Sequence, residues 1–108
     1  MSDLQCPARL LFVAADGFDR RALLAALRAE RVADLWAATE AEATELAQAL
    51  GLGVRVDERL SDPDQLDQLI EDVADLGRGE TTVLLGRVGP LEVLVDGDGV
   101  RRRPWLIR

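Results

Sequence analysis

Short apolar runs alternate with amphipathic helical segments along this chain, and that alternation constrains its fold more than any other feature. The first run, Leu10–Ala15, is typical of a strand buried on both faces, and leucines at helical spacing follow it in Phe18–Arg31. The same order recurs twice before a fourth run, which predicts β-α-β-α-β-α-β. The other predicted elements are strands Leu35–Ala38, Val54–Val56 and Thr81–Leu85, and helices that start at Thr39 and Asp62.

Capping residues predict where the second and third helices begin and end. Thr39 and Glu42 have capping-box spacing, and Gly51 stands where the second helix would stop. Asp62 is expected to cap the third helix, with Pro63 in its first helical position. The apolar stripe of the third helix is predicted to face the core through Leu66, Leu69, Ile70, Val73 and Leu76.

The last part of the chain has the pattern of a β-hairpin. Two strands, Leu91–Val95 and Val100–Ile107, flank an Asp-Gly-Asp-Gly turn. Pro104 lacks a backbone N–H, so the final strand is expected at a sheet edge. We therefore predict a single α/β domain over residues 1–108: three layers, with a mainly parallel sheet, helices on both faces and a C-terminal β-hairpin.

Composition and charge narrow the classes of function. The net charge of -7 argues against nucleic acid or an anionic membrane as the main partner. Cys6 is the only cysteine and histidine is absent, which removes an internal disulfide and the commonest acid–base group and metal ligand. No cofactor or metal is therefore expected. The start of the chain lacks a signal-peptide pattern, and no apolar run approaches the roughly 20 residues of a membrane span, so we expect a cytoplasmic protein.

Three segments, taken in order, resemble the histidine phosphatase (phosphoglycerate mutase-like) superfamily, in particular its small phosphohistidine-phosphatase-like members. The segment RLLFVAADG stands where the family has a strand ending in Arg-His-Gly. The segment VADLWAATEAEATELAQALGLGVRVDERL is similar to the family's strand ending in Ser-Ser, its Thr-Ala helix and the following Asp-Glu-Arg-Leu. The segment ETTVLLGRVGPLEVLV resembles a later strand that ends in Gly-His or Ser-His.

The resemblance implies phosphoryl transfer to a histidine, but the catalytic positions differ here. In the family, two arginines and a second histidine surround the phosphate, and a carboxylate supplies a proton to the leaving group. Ala14 matches the first arginine, Ala15 matches the nucleophilic histidine, and Arg87 matches the second histidine. Glu40 or Ala41 falls where the second arginine belongs, and the loop of the proton donor is missing. The resemblance therefore implies a truncated pseudoenzyme without catalytic residues.

Asp16, Gly17 and Arg87 are candidates for a residual site that binds a small anionic ligand. Two simpler interpretations remain open. In the first, Asp16 or Asp19 caps the first helix and Gly17 relaxes the turn. In the second, Arg87 is a surface residue paired with a nearby acid. A third hypothesis is an enzyme that uses Asp16 or another carboxylate with a metal, and a single carboxylate is weak support for a metal site.

The C-terminal strand holds the candidate interface. Strand alternation places Arg101, Arg103, Trp105 and Ile107 on one face, and tryptophan is enriched at interaction hot spots. We predict a non-catalytic domain that acts through protein–protein interaction, either with another protein or as a homodimer formed across edge strands. The alternative is a small-molecule or anion-binding sensor domain with a residual phosphate-type site.

Overall fold

Six strands form one sheet in the computed structural model, which describes residues 7–15 and 19–105. The strands are β1 (Ala8–Ala14), β2 (Asp34–Ala37), β3 (Val54–Val56), β4 (Thr81–Gly86), β5 (Leu91–Asp96) and β6 (Gly99–Pro104). The helices are α1 (Arg20–Ala29), α2 (Glu40–Leu50) and α3 (Leu66–Leu76), and two 3-10 turns, Glu58–Ser61 and Pro63–Gln65, precede α3.

The sheet is mixed, with the order β3-β2-β4-β1-β5-β6. The pairings β3–β2, β2–β4 and β4–β1 are parallel, whereas β1–β5 and β5–β6 are antiparallel. Because β6 is antiparallel to β5, it runs in the same direction as β1. The predicted α/β class and the C-terminal hairpin are confirmed. The hairpin is part of the same sheet, because β5 pairs directly with β1 and so adds an antiparallel pair to the parallel strands.

Two apolar clusters cover the two faces of the sheet. Leu11 and Val13 of β1 belong to the cluster that includes residues of α1 and α2. Leu10 and Phe12 belong to the other, to which α3 contributes. These four side chains are each at most 1% exposed, so β1 is buried on both faces as its apolar run predicts.

The ends of α1 and α2 agree only in part with the capping predictions. Asp19 caps α1, since its carboxylate accepts hydrogen bonds from the backbone N–H groups of Arg21 and Ala22. Thr39 is the N-cap of α2, but its side chain makes no capping hydrogen bond, so the capping box is not formed. Gly51 ends α2 with a φ of 71°, the left-handed conformation expected of a glycine at this place.

The start of α3 differs from the prediction. Asp62 caps the 3-10 turn Pro63–Gln65, and the α-helix itself begins only at Leu66. Pro63 thus occupies the first position of a turn that leads into α3. At the other end, Leu76 is 63% exposed, so its predicted place in the core is wrong.

Candidate functional site

The carboxyl ends of β1, β4 and β2 lie side by side, because these strands are parallel neighbours. Hydrogen bonding continues past the strand ends. The backbone N–H of Ala15 donates to Gly86 O at 2.9 Å, and that of Ala38 donates to Leu85 O at 3.1 Å. In open α/β sheets, ligands bind outside the carboxyl ends of the strands. The carboxyl edge formed by these three strands is therefore the first candidate site.

Among the described residues, few side chains with charged or reactive groups lie at this carboxyl edge. Ala14 and Ala15 are half-buried where β1 ends, and Glu40 is exposed in the first turn of α2. Arg87, the residue after β4, is also exposed. Of these four positions, two carry methyl groups, one an acid and one a cation. Since the chain has no histidine, none of them supplies an imidazole nucleophile.

Two predicted members of the anion site, Asp16 and Gly17, lie outside the described residues. One question raised by the sequence is nevertheless answered by Asp19. Its Oδ1 accepts a hydrogen bond of 2.9 Å from Arg21 N, so Asp19 is a cap of α1. Arg87 stays a candidate for anion binding, and the supporting observation is that its side chain is exposed.

The connection after β4 lies tightly against neighbouring backbone. A Cβ atom on Gly86 would fall 2.6 Å from Leu60 O, and one on Gly89 would fall 2.3 Å from Phe12 O. Gly89 also has a φ of 138°, which side-chain-bearing residues rarely adopt. Backbone atoms therefore fill the space beside these two glycines, and a residue with a side chain would not fit at either position without a shift of the chain.

An ion-pair network fixes the chain as it leaves β3. Arg59 Nη2 lies 2.8 Å from Asp57 Oδ2, and Arg59 Nη1 lies 2.6 Å from Asp72 Oδ2 on α3. Hydrogen bonds from Arg59 hold the pKa of Asp57 and that of Asp72 below their ordinary value. The Asp57 backbone N–H also donates to Ala37 O at 2.9 Å. Arg59 thus ties β3 to α3 and is engaged in structural contacts.

A buried acid on β5 was missed by the sequence analysis. Glu92 is 1% exposed, and its carboxylate accepts hydrogen bonds from Arg9 on β1 and Arg103 on β6. Arg9 also forms an ion pair with Glu30, the C-cap of α1. Burial by itself raises the pKa of Glu92, but the two arginines outweigh it and the pKa lies below its ordinary value.

A sequence signal for Glu92 does exist. A two-residue hairpin turn places position 92 opposite position 103, which pairs a glutamate in an apolar strand with an arginine across the ladder. The contribution of Arg9 depends on the pairing of β5 with β1, which the sequence alone does not indicate.

The residues of the predicted interface divide into two groups. Arg101 and Arg103 are exposed on β6, with 71% and 70% of their side chains accessible. Trp105 is only 8% exposed and belongs to the apolar cluster that includes residues of α1 and α2. Its indole therefore packs into the core of its own chain and is not available as a surface hot spot. Ile107 lies outside the described residues.

Each arginine of β6 has an acidic partner within the chain. Arg101 Nη2 lies 2.6 Å from Asp96 Oδ2, and Arg102 Nη2 lies 2.6 Å from Asp67 Oδ1 on α3. Arg103 pairs with the buried Glu92. The Arg102–Asp67 pair is exposed, which makes it weak, whereas Arg101 is exposed but its partner Asp96 is only 17% accessible. Arg103 pairs with a carboxylate that is removed from water.

A cavity of about 270 Å³ opens between α1 and α2, and Leu85 of β4 forms part of its wall. The other wall residues are apolar or belong to the exposed ion pair between Arg20 and Glu45, with Glu42 beside it. This cavity was not predicted from the sequence. Its charged residues are two acids and one arginine already paired, so an anion gains little there.

Among residues 7–15 and 19–105, no three acidic, cysteine or histidine side chains are grouped so that they could hold a metal ion. No helix in the described part of the chain is long and apolar enough to cross a membrane. No family model, curated protein or solved structure matches this chain.

Proposed function

We propose that this chain is a non-catalytic, histidine-phosphatase-like domain of the cytoplasm that acts through protein–protein interaction. The observation that carries the proposal is the carboxyl edge: the three strands on which the resemblance rests end side by side there. At these ends stand Ala14, Ala15, Glu40 and Arg87. The two apolar clusters on opposite faces of the sheet support the three-layer arrangement that the alternation of strands and helices predicts.

The chemistry of the carboxyl edge supports a non-catalytic role. Phosphoryl transfer to a protein side chain requires a nucleophile and fixed cations around the transferring group. Arg87 is one cation at this edge, whereas Arg59 is held by Asp57 and Asp72. Glu40 adds negative charge in the first turn of α2. One exposed cation and one acid do not make the cluster of fixed cations that phosphoryl transfer requires.

The scaffold residues of the resemblance, in contrast, make defined structural contacts. Asp57 caps the 3-10 turn after β3 and pairs with Arg59, while Leu60 packs its carbonyl against Gly86. A pseudoenzyme is expected to keep such structural contacts while its catalytic positions carry residues such as alanine. The fold then serves as a platform for surfaces elsewhere on the molecule.

The edge strand β6 supports the interaction part of the proposal. All six of its residues are exposed, and β6 is the last strand in the sheet. An exposed strand edge is a template for pairing with another chain. Homodimerisation across this edge is the less favoured version, because two copies would bring arginines against arginines.

The second candidate is a sensor domain that binds a small anion through Arg87. The exposure of Arg87 directly after β4, beside the end of β1, is the observation in its favour. A thermal-shift series with inorganic phosphate, nucleotides and small carboxylates tests it. We expect no stabilisation by these anions; stabilisation that is lost in Arg87→Gln would favour the sensor instead.

One experiment tests the non-catalytic part directly. The purified chain is incubated with p-nitrophenyl phosphate and with a phosphohistidine peptide, and with radiolabelled phosphoryl donors. We expect no hydrolysis above buffer and no labelled protein. Hydrolysis that falls in Arg87→Gln but persists in the surface control Arg28→Gln would overturn the proposal.

A second experiment tests the interaction part. The tagged chain is crosslinked in its native cell, purified and analysed by mass spectrometry against a tag-only control. We expect crosslinks to a specific second protein. Crosslinks between copies of this chain alone would favour the homodimer.

A further inference from the structure

The backbone on the outer side of β6 has hydrogen-bonding groups that point away from the sheet. The β5–β6 hairpin has a two-residue loop, and near its open end Trp105 N–H donates to Pro90 O at 3.4 Å. Bonded and non-bonded pairs alternate along antiparallel strands. Every second residue of β6, including Arg101, therefore bonds to β5, whereas the N–H groups of Val100 and Arg102 point outward.

Three guanidinium groups flank this outer edge. Arg101 and Arg103 share one face of the sheet, and Arg102 lies on the other with 46% of its side chain exposed. The pair of Arg102 with Asp67 is exposed and therefore weak. Arg101 is 71% exposed, and its partner Asp96, which is 17% exposed, also accepts a hydrogen bond of 2.8 Å from the backbone N–H of Asp98. Asp96 therefore keeps a hydrogen-bond donor when Arg101 turns towards an incoming carboxylate.

We infer that the outer edge of β6 binds an extended acidic segment of another protein, which joins the sheet as a seventh strand. The added strand exchanges backbone hydrogen bonds with Val100 and Arg102. Acidic residues at alternate positions of that strand lie across from Arg101 and Arg103, where opposite charges stabilise cross-strand pairs. This inference rests on the proposed function and names the surface and the chemistry of the partner.

A second copy of this chain fits the same edge poorly. An antiparallel pairing of two β6 strands about Arg102 would place Arg101 of each copy opposite Arg103 of the other, and like charges directly opposite destabilise a sheet. Pro104 offers no N–H to a partner strand. Charge complementarity therefore selects an acidic strand over self-pairing.

The test uses a fluorescein-labelled peptide of alternating glutamate and valine, and fluorescence anisotropy with the full chain. A peptide with lysine in place of glutamate is the charge control. We expect saturable binding of the glutamate peptide and none of the lysine peptide. Light scattering of the unbound chain is expected to give the mass of a monomer.

Two variants separate the backbone contribution from the charge contribution. Val100→Pro removes one outward N–H and keeps every charge, with Val100→Thr as its matched control; we expect about tenfold weaker peptide binding for proline only. Arg101→Gln keeps the N–H groups and is expected to weaken binding about two- to fivefold, because Arg101 is an exposed arginine on the face that the glutamates occupy. Its matched control is Arg28→Gln on α1, which changes the net charge equally. Arg103 is left intact because Glu92 depends on it.

Thermal unfolding checks that each variant is folded before its affinity is compared. Absence of peptide binding to the folded wild-type chain would overturn the inference, as would equal affinity in Val100→Pro and Val100→Thr. A dimer that Val100→Pro dissociates would assign the edge to a second copy. In any of these cases the proposed function would still be judged by its own assays, since a partner could bind elsewhere.

Discussion

Glu92 on β5 is almost completely buried, and Arg103 on the exposed strand β6 donates a hydrogen bond to its carboxylate. Arg9 on β1 donates to the other carboxylate oxygen and also pairs with Glu30 at the end of α1. One buried acid thus connects three neighbouring strands and a helix. Since β5 is the one neighbour of β6 among the described strands, this contact helps to hold the proposed binding edge in place.

Replacement of Glu92 by glutamine is expected to lower the free energy of unfolding by about 2 kcal/mol at neutral pH, because the partly buried Arg9 and the exposed Arg103 lose an anionic partner. The pKa of Glu92 is lower in the folded chain than its ordinary value of 4.5. Its contribution is therefore present above pH 4.5 and is lost as the pH falls through the lower folded value.

Urea denaturation of both proteins across this pH range provides the measurement. The gap between wild type and Glu92→Gln should narrow on acidification, while the exposed control Glu80→Gln stays close to wild type throughout. A gap that does not depend on pH would mean that Glu92 is not ionised in the folded chain.

The order of the elements could be predicted from the sequence because periodicity is a local property. β3 has the predicted bounds Val54–Val56, and the hairpin turn falls between the predicted strands. The insertion of β4 between β1 and β2, and the pairing of β5 with β1, depend on contacts distant in sequence. Trp105 shows the consequence: alternation predicts that it shares a face with Arg103, but whether that face is covered there depends on the packing of the α-helices.

The sequence indicates where the candidate site lies in the sheet, but it does not indicate how the loops pack around that site. Chain order and strand pattern indicate that Ala15 and Arg87 follow buried strands, and parallel pairing brings those strand ends together. The close packing of Gly89 against Phe12 depends on the path of a loop, for which no periodic signal exists.

Asp57 is expected to be a main determinant of how the chain leaves β3. Its carboxylate caps the following 3-10 turn and holds Arg59, so Asp57→Ala should lower the free energy of unfolding by about 1–2 kcal/mol. The neighbouring Glu58→Ala is the matched control, and a change within about 0.5 kcal/mol is expected there. Chemical denaturation measures both; equal effects in the two variants would contradict the role given to Asp57.

Gly89→Ala is expected to lower the free energy of unfolding by about 2–3 kcal/mol, because its Cβ would clash with Phe12 O and its φ of 138° disfavours a side chain. Gly97→Ala is a suitable control, since no atom lies within 4 Å of a Cβ built there. Thermal unfolding should separate the two variants clearly. If both unfold with the wild-type midpoint, the connection after β4 does not lie against β1 as described.

Trp105→Ala should lower the free energy of unfolding by about 3–5 kcal/mol, the usual cost of removing a large aromatic side chain from a core. The reason is its 8% exposure among residues of α1, α2 and the sheet. Arg102→Ala on the same strand is the surface control and should stay within about 1 kcal/mol of wild type. Because the chain has two tryptophans, Trp36→Phe leaves the indole of Trp105 as the single reporter of its environment.

Fluorescence of Trp36→Phe then tests the burial of Trp105 independently of stability. Native emission should be blue-shifted relative to the unfolded chain and resist quenching by acrylamide, because the indole is shielded from water. An emission maximum that does not change on unfolding, together with a stable Trp105→Ala variant, would place Trp105 at the surface. The proposed binding edge would then include Trp105 as well as the arginines of β6.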